Sequence, residues 1–218
     1  MDRTPSDVLS PLQQRVLDAV FAEEAFNRAF YFTGGTALAA FYLGHRYSDD
    51  LDFFTNEPDM EFLWPMLQSL QTTLSFTVDS RTPRFIRLHV AEGLRVDFVQ
   101  DVPFRIGVPI RQGNWPVDSL ENIAVNKVTA IQGRLDVKDY VDLYLLLKDR
   151  PEMIFTWLKE ANKKDASIDP FLWSRVIGEV ETFSILPRMI VPLILEDLRV
   201  FYRQLRQRIL RSLTPKAR

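Results

Sequence analysis

Two aspartates, Asp50 and Asp52, are separated by one apolar residue near the end of the stretch FTGGTALAAFYLGHRYSDDLDFF, which covers residues 32–54. If this segment is a β-strand, both carboxylates lie on one face and the apolar residues between and after them lie on the other. Neighbouring carboxylates repel each other unless a cation lies between them. Mg²⁺ prefers such oxygen ligands together with substrate phosphates. The pair therefore predicts a metal site that works on a phosphate-bearing substrate.

A Gly-Gly-Thr turn, formed by Gly34, Gly35 and Thr36, precedes the acid pair. Two glycines let the backbone turn tightly and approach a ligand closely. A helix beginning at Thr36 would offer free backbone N–H groups and a positive dipole end to an anion. The turn therefore predicts a phosphate cradle, and the alternative is an ordinary turn followed by a solvated strand end.

The combined pattern is Gly34-Gly35-Thr36 followed by His45-Arg46-x-Ser48-x-Asp50-x-Asp52. It resembles the polymerase-β-like nucleotidyltransferase superfamily and, within it, the AbiEii/AbiGii toxin family of abortive-infection and toxin–antitoxin systems. The resemblance implies that Asp50 and Asp52 are catalytic and hold Mg²⁺. The residues that it assigns to nucleotide binding are Gly34, Gly35, Thr36, Arg46, Ser48 and Lys127.

A third acid, Asp97, lies inside the apolar strand predicted over residues 94–99. An acid with such neighbours is unusual. In the superfamily that the motif resembles, a carboxylate from a neighbouring strand completes a site for two metal ions, so the resemblance assigns Asp97 to metal binding and catalysis. The alternative is a charged ladder pair between Asp97 and Arg95, Arg87 or Arg105.

Two helices predicted after residue 118 carry Lys127, Arg134, Asp139 and Asp142. Their order again resembles the toxin family, in which a helix lysine approaches the triphosphate and a downstream acid orients it. The resemblance therefore assigns catalytic roles to Lys127, Asp139 and Asp142, without deciding which acid matters. The alternative is an exposed helix face with i, i+4 salt bridges such as Lys138–Asp142.

The composition is that of a soluble globular protein, with 46% hydrophobic and 26% charged residues. The absence of cysteine excludes disulfides, zinc–thiolate sites and cysteine nucleophiles. No apolar run approaches the ~18 residues of a membrane-spanning helix, so we expect a cytoplasmic protein. A net charge of −2 gives no global attraction to nucleic acid, which must then bind a local basic patch.

The order of patterns predicts an α+β fold of the polymerase-β-like type, in which a mixed sheet is followed by a C-terminal helical bundle. We expect an N-terminal nucleotidyltransferase core over residues 1–117, with a helix at about 6–24 and another at about 60–74, and a helical domain over 118–218 that closes the nucleotide cleft. Strands are predicted before Gly34, at residues 50–54, 76–78, 85–90 and 94–99, and as a short segment over 105–110.

Residues 151–218 carry no motif, and the last helix is rich in arginine. That basic helix predicts either a surface for RNA or an acidic partner, or a solvated helix end.

The expected reaction moves a nucleotidyl group from an NTP to an acceptor hydroxyl and releases pyrophosphate. The resemblance implies an RNA acceptor, a tRNA 3′ end, and an antitoxin protein as partner. A small-molecule nucleotidyltransferase of the antibiotic-modifying kind and an inactive nucleotide- or protein-binding module are the alternatives. A basic face near the site favours RNA, whereas an acidic acceptor pocket favours a small molecule.

Overall fold

The structure is a computed structural model that describes residues 5–57 and 60–214. The chain divides into two compact units, one ending at Leu120 and the other beginning at Glu121. The sequence placed this division between residues 117 and 118.

The first unit is built on one seven-stranded mixed sheet. Its strands are β1 (Phe30–Thr33), β2 (Asp50–Thr55), β3 (Phe76–Thr82), β4 (Phe85–Val90), β5 (Leu94–Gln100), β6 (Ile110–Gln112) and β7 (Trp115–Val117). Their spatial order is β3-β4-β5-β2-β1-β7-β6. Strands β2 and β5 pair in parallel, and so do β1 and β7, whereas the other neighbours are antiparallel.

A cluster of phenylalanines covers one face of the central strands and forms the core of this unit. Phe53 of β2 stacks on Phe98 of β5 at a ring-centroid distance of 5.1 Å. Phe21, Phe26 and Phe30 pack around this pair at centroid distances of 5.3–5.5 Å. Because alternate side chains point to opposite faces, this packing fixes which residues of β2 and β5 face away from the core.

Four helices belong to the first unit: α1 (Pro11–Ala22), α2 (Glu24–Ala29), α3 (Gly34–Leu38) and α4 (Leu63–Leu70). The sequence predicted one helix over about 6–24, but the chain leaves helical geometry at Glu23, which separates α1 from α2. A capping box starts α1: Ser10 Oγ accepts from the Gln13 backbone N–H, and Gln13 Oε1 accepts from the Ser10 N–H.

Two sequence expectations for this unit were wrong. The predicted strand over 105–110 has no regular structure before Ile110, and the chain instead forms the hairpin of β6 and β7. The helix expected over 60–74 is shorter, because only residues 63–70 are helical. The strands predicted at 85–90 and 94–99 are present as β4 and β5, which pair antiparallel around a turn with Gly93 at a φ of 78°.

The edges of the sheet are irregular or short. Edge strand β3 has a register shift between Val78 and Ser80 where it pairs with β4. At the other edge, β6 has three residues, all of them exposed. Neither edge is a long flat strand.

The second unit is helical. Its helices are α5 (Leu120–Gly133, whose first residue closes the first unit), α6 (Val137–Leu147), α7 (Met153–Lys164), α8 (Pro170–Val176) and α9 (Leu195–Leu213). Asp136 and Asp169 cap the starts of α6 and α8 through their carboxylates. The predicted α+β class with a helical C-terminal part is confirmed. No helix among residues 5–57 and 60–214 combines the length and hydrophobicity that a bilayer crossing requires.

The capping box makes a testable prediction for α1. Ser10→Ala should lower the free energy of unfolding by about 1 kcal/mol, because the Gln13 N–H loses its acceptor, whereas Ser10→Asp, which keeps an acceptor, should change it little. Urea denaturation of both variants measures this difference. Equal losses would contradict a capping role for the hydroxyl.

Candidate active site

The turn after β1 brings the backbone of Gly34 against the carboxylate of Asp52. Gly34 has a φ of 76°, and a Cβ built there would lie 2.2 Å from Asp52 Oδ2. No L side chain fits such a contact without moving the carboxylate or the turn. Glycine at this position is therefore required both by the left-handed backbone and by the close approach of β2.

The two acids of β2 lie on the face opposite the phenylalanine core. Leu51 and Phe53 are completely buried, whereas Asp50 and Asp52 are half-buried. The alternation predicted from the sequence is therefore present.

Asp97 lies directly beside Asp52, because β2 and β5 run parallel with Asp52 and Asp97 as register partners. Its carboxylate is 6% exposed and accepts two hydrogen bonds of 2.8 Å from Arg87, one from Nε and one from Nη2. Arg95 forms an ion pair with Asp50 and its Nε lies 3.8 Å from Asp97 Oδ2. Three carboxylates and two guanidinium groups thus share one face of the sheet.

Of the two possibilities that the sequence left open for Asp97, the ladder pair is present and metal binding stays a prediction. The strands bring Asp97 next to Asp52, and Asp97 also forms the ladder pair with Arg87. Arg105 is not part of this group. Within the described ranges, no set of three or more histidine, cysteine or acidic side chains is spaced to hold a metal ion.

The donor set nevertheless fits magnesium chemically. Asp50, Asp52 and Asp97 offer hard oxygen ligands on one face, and the guanidinium groups of Arg87 and Arg95 now neutralise part of their charge. The residues that would hold the ion are these three aspartates.

Three of the other predicted nucleotide ligands, Thr36, Arg46 and Ser48, form hydrogen bonds within the protein. The Thr36 hydroxyl donates to the Asp50 carbonyl and ties α3 to the start of β2. Arg46 is buried, and its Nη1 donates to the Tyr47 carbonyl at 3.1 Å. The Ser48 carbonyl accepts from Gln13 Nε2 of α1 at 2.7 Å. These bonds fix the segment that leads into Asp50, and roles in nucleotide binding remain predictions.

That segment has unusual backbone geometry. After α3 the chain forms a π-helical turn over Ala39–Leu43 and then reaches Gly44 in the left-handed region, with a φ of 57°. The sequence predicted a helix beginning at Thr36, whereas α3 begins at Gly34 and is followed by the π-helical turn at Ala39. π-turns of this kind are frequent at functional sites.

In the second unit, Lys127 is held by two acids. Its Nζ lies 2.7 Å from Asp139 Oδ1 and 2.7 Å from Asp142 Oδ2, and its side chain is 7% exposed. Both aspartates are completely buried, and Arg134 Nε donates to Asp139 Oδ2 at 2.7 Å. The exposed helix face considered from the sequence is therefore wrong for these three residues.

The pKa of Asp139 reflects this cluster. Burial by itself raises the pKa of the carboxyl, but the charge of Lys127 and the hydrogen bond from Arg134 outweigh burial and lower the pKa below its ordinary value of 3.8. Asp139 is therefore ionised at neutral pH.

A second buried polar group lies beside the turn and was not predicted from the sequence. Its centre is Asp118, which is completely buried. It accepts from Thr33 Oγ1 at 2.7 Å, from Arg105 Nη2 at 2.6 Å and from the Ser119 backbone N–H at 2.9 Å. Thr33 directly precedes Gly34, so Asp118 anchors the strand end from which the turn starts.

Arg105 extends this group to Tyr31. Its guanidinium lies 3.7 Å from the centroid of the Tyr31 ring, and the Tyr31 hydroxyl donates to Asp101 Oδ2 at 2.6 Å. Burial, and then the charge of Asp101, raise the pKa of Tyr31 above its ordinary value. Tyr31, Arg105 and Asp118 are too far apart in the sequence for any local spacing to connect them. The only sequence signal for this group was that Asp118 directly follows the apolar residues 115–117.

Comparison with known proteins agrees with this geometry. Residues 15–115 match the family model described as "Nucleotidyl transferase AbiEii toxin, Type IV TA system". An uncharacterized protein of Aquifex aeolicus (strain VF5) is 29% identical over 147 residues, which cover 64% of this chain and 68% of the relative.

Two solved structures from Helicobacter pylori share the fold. A candidate nucleotidyltransferase has a TM-score of 0.60 and 18% identity, with 94% of this chain and 97% of that chain covered. The protein JHP933 has a TM-score of 0.57 and 18% identity, with 93% and 90% covered.

The segment with the Gly34 turn, the acid pair and Asp97 lies inside the matched residues. The predicted AbiEii resemblance agrees with this match, which covers just under half of the chain, and the two solved structures share the fold. Lys127, Asp139 and Asp142 lie beyond the match, so their roles remain predictions.

The Gly34 contact can be tested against a matched glycine. Gly34→Ala and Gly93→Ala both place a side chain at a φ near +77°, but a Cβ at Gly93 meets no atom within 4 Å. Each substitution should lower the free energy of unfolding by about 1–2 kcal/mol because of the left-handed backbone. Gly34→Ala should lower it clearly further. Chemical denaturation gives both values.

A double variant isolates the cause of the extra loss. In an Asp52→Ala background the carboxylate is gone, so Gly34→Ala should cost clearly less than it does with Asp52 present, although the Cβ of residue 52 still lies 3.1 Å from the new Cβ. An unchanged cost would show that the strain does not come from Asp52.

The Lys127 cluster makes a prediction about stability. Lys127→Met should lower the free energy of unfolding by about 3–5 kcal/mol at neutral pH, because two buried carboxylates lose their shared cation. Lys159→Met, on the exposed side of α7, is the matched control and should change little. Denaturant titration of both variants decides whether the buried ion pair supports the fold.

The lowered pKa of Asp139 predicts how stability depends on pH. Because the folded pKa lies below the ordinary value, the stabilisation is fully present above pH 3.8 and is lost as the pH falls through the folded pKa. Asp139→Asn should therefore be less stable than the wild type at neutral pH, and this gap should shrink below pH 3.8. A gap independent of pH would contradict the charge explanation.

Proposed function

We propose that the protein is a nucleotidyltransferase of the AbiEii toxin type, which transfers a nucleotidyl group from an NTP to a hydroxyl of RNA, a tRNA 3′ end, and releases pyrophosphate. It depends on Mg²⁺, acts in the cytoplasm, and is neutralised by an antitoxin protein. The observation that carries this proposal is that Asp52 and Asp97 are register partners on the parallel strands β2 and β5. Asp50 lies on the same face, and the Gly34 turn lies against the Asp52 carboxylate.

The three aspartates supply the ligands for the ion. When bound there, Mg²⁺ would neutralise charge on the reacting phosphates and lower the pKa of the attacking hydroxyl. The chain's own contribution is position: the core packing of β2 and β5 holds the carboxylates on one face, and Arg87 fixes the Asp97 carboxylate with two hydrogen bonds. We propose that Asp97 also helps to take the proton of the acceptor hydroxyl.

The Gly34 turn supports a role in nucleotide binding. Gly34 and Gly35 leave the backbone next to Asp52 without side chains, so a phosphate can approach both the turn and the metal ligands. We propose that Thr36, Arg46 and Ser48 shape this turn and the segment before Asp50, and that the nucleotide contacts their backbone.

For the second unit we propose that Lys127 neutralises the triphosphate. A lysine ammonium has three donors, and two of them go to Asp139 and Asp142. These bonds hold the charge at a fixed place and keep it ionised, so both acids are proposed as positioning residues.

The acceptor proposal is supported by the charge of a groove in the first unit. A groove of about 410 Å³ is lined by Arg28, Arg105 and Arg111, with Glu57 as its acid. Arg28 and Arg105 already pair with Glu24 and Asp118, so Arg111 supplies most of the uncompensated charge. A basic lining suits a polyanion such as RNA better than the cationic small molecules that acidic acceptor pockets hold.

Asp52→Asn tests the proposed chemistry. The variant keeps the shape of the side chain but removes a metal ligand, so transfer of labelled nucleotide to total RNA should fall about a hundredfold or more. Its melting temperature should be unchanged or higher, because repulsion with Asp50 and Asp97 is relieved. Label transfer in the presence of Mg²⁺ and thermal melting should be measured on the same preparations.

Asp79→Asn is the matched control, since Asp79 is an exposed acid of β3 that faces His89. It should keep wild-type transfer. Full activity of Asp52→Asn at ordinary magnesium concentration would refute the metal assignment. Labelling of small molecules but not of RNA would replace the proposed acceptor with the alternative one.

A further inference from the structure

The two units differ in charge. Residues 121–218 contain 17 lysine and arginine residues against 13 aspartate and glutamate residues, whereas residues 1–120 contain 10 against 16. The protein as a whole is weakly acidic, but its helical unit carries a positive excess of four. A polyanion is therefore attracted to the helical unit more than the total charge suggests.

The two arginines in the first half of α9, Arg199 and Arg203, form ion pairs with acids of the chain itself. Arg203 Nε lies 2.6 Å from Glu181 and its Nη1 lies 3.0 Å from Glu196. Arg199 lies 3.6 Å from Glu196. Both arginines also reach Glu181, so they tie α9 to the preceding segment, which is neither of the two roles considered from the sequence.

Two other arginines line a groove of about 560 Å³ within the helical unit. Arg175 comes from α8 and Arg206 from α9, and the remaining lining includes Gln132, Leu172, Val176 and Glu179. Within the part of the chain that the structure describes, neither guanidinium has an acid within ion-pair distance. The groove thus presents two uncompensated cations beside an apolar wall.

The same groove contains an unused acceptor. Gln132 Oε1 is buried and has no hydrogen-bond donor among the described residues. A buried polar atom of this kind is uncommon and calls for a donor. Glu179 adds a second acceptor to the lining.

We propose that this groove binds a nucleotide of single-stranded RNA, with Arg175 and Arg206 on its phosphate and the base against Leu172 and Val176. Gln132 Oε1 then accepts from the N–H groups on the base edge. Arginine suits phosphate because its planar group donates two parallel hydrogen bonds, and single-stranded bases are recognised through their faces and edges.

An acidic protein segment fits the groove less well. Its carboxylates would pair with the arginines and its backbone N–H groups would supply donors for Gln132, but aspartate and glutamate side chains bring no flat apolar face for Leu172 and Val176. A nucleotide offers an anion, N–H donors and the face of a base. The same chemistry is present in a free NTP, so the test must separate the strand from the free nucleotide.

The inference rests on the proposed use of an RNA acceptor, and it is tested by binding rather than by transfer. Fluorescence anisotropy of a labelled single-stranded RNA should be measured with the full chain, without Mg²⁺ or NTP, from low to high potassium chloride. Arg175→Gln/Arg206→Gln should lower the log–log salt slope by about 1.4, which is two phosphate contacts at about 0.7 each. At low salt its affinity should fall by about tenfold or more.

Arg208→Gln/Arg211→Gln is the matched control. It removes the same charge from exposed positions on α9 outside the groove, so it should leave the slope close to that of the wild type. Circular dichroism melting of each variant shows that the fold is retained.

Gln132→Met separates the base contact from the phosphate contacts. It should weaken RNA binding without changing the salt slope, and it should not lower the melting temperature, because the buried acceptor has no partner to lose.

The outcomes distinguish this inference from the proposed function. No binding of RNA by the wild type would overturn both. Equal affinities and slopes for the groove variant and the control would overturn the groove alone and leave the RNA acceptor intact.

Two further arms test other occupants. Loss of ATP binding in the groove variant, with RNA binding unchanged, would assign the groove to free nucleotides. Displacement of RNA by poly(L-glutamate) as readily as by unlabelled RNA of equal charge would assign it to acidic protein segments. Either result would overturn the proposal.

Discussion

The parallel pairing of β2 with β5 determines the character of the site. It stacks Phe53 on Phe98 in the core and, through the same register, sets Asp52 beside Asp97 on the opposite face. Side chains alternate along a strand, so a slip of one residue would move the carboxylates into the phenylalanine cluster. Burial of the aromatic rings therefore fixes the position of the acids, and the hydrophobic energy of the core opposes any register that would separate them.

Concentrating acids on one face has an electrostatic cost that neighbouring side chains offset. Arg87 binds Asp97 with both carboxylate oxygens engaged, and Arg95 lies against Asp50 and near Asp97. The helical unit compensates its buried acids in the same way, since the Lys127 ammonium group lies between two buried aspartates. In both units cations from the chain itself compensate acids that would otherwise repel each other.

Local patterns predicted the parts of the molecule that local physics controls. The alternation in residues 85–90 and 94–99 predicted β4 and β5, and Asp169-Pro170 predicted the start of α8. Glycine at residue 34 indicated a tight turn, but its contact with Asp52 depends on how β1 and β2 pair. The motif could be recognised from the spacing of its residues in the sequence, whereas the contact between Gly34 and Asp52 depends on how the strands pair in the fold.

What the sequence did not predict depends on contacts between distant residues. The strands β6 and β7 are three residues long and contain or follow prolines, so they have almost no periodic signal. Asp118 has the pattern of a helix cap, yet its partners Thr33 and Arg105 bring it into the interior. Lys127 likewise resembles a surface lysine until α5 and α6 enclose it.

The irregular edges of the sheet limit how other chains can associate with it. An added strand needs a row of evenly spaced N–H and C=O groups. The register shift at Val78/Ser80 interrupts that row in β3, and β6 provides only three residues. Strand addition along these edges is thus disfavoured, which protects the exposed backbone from aggregation by edge pairing. A protein that recognises this unit must do so through side-chain surfaces.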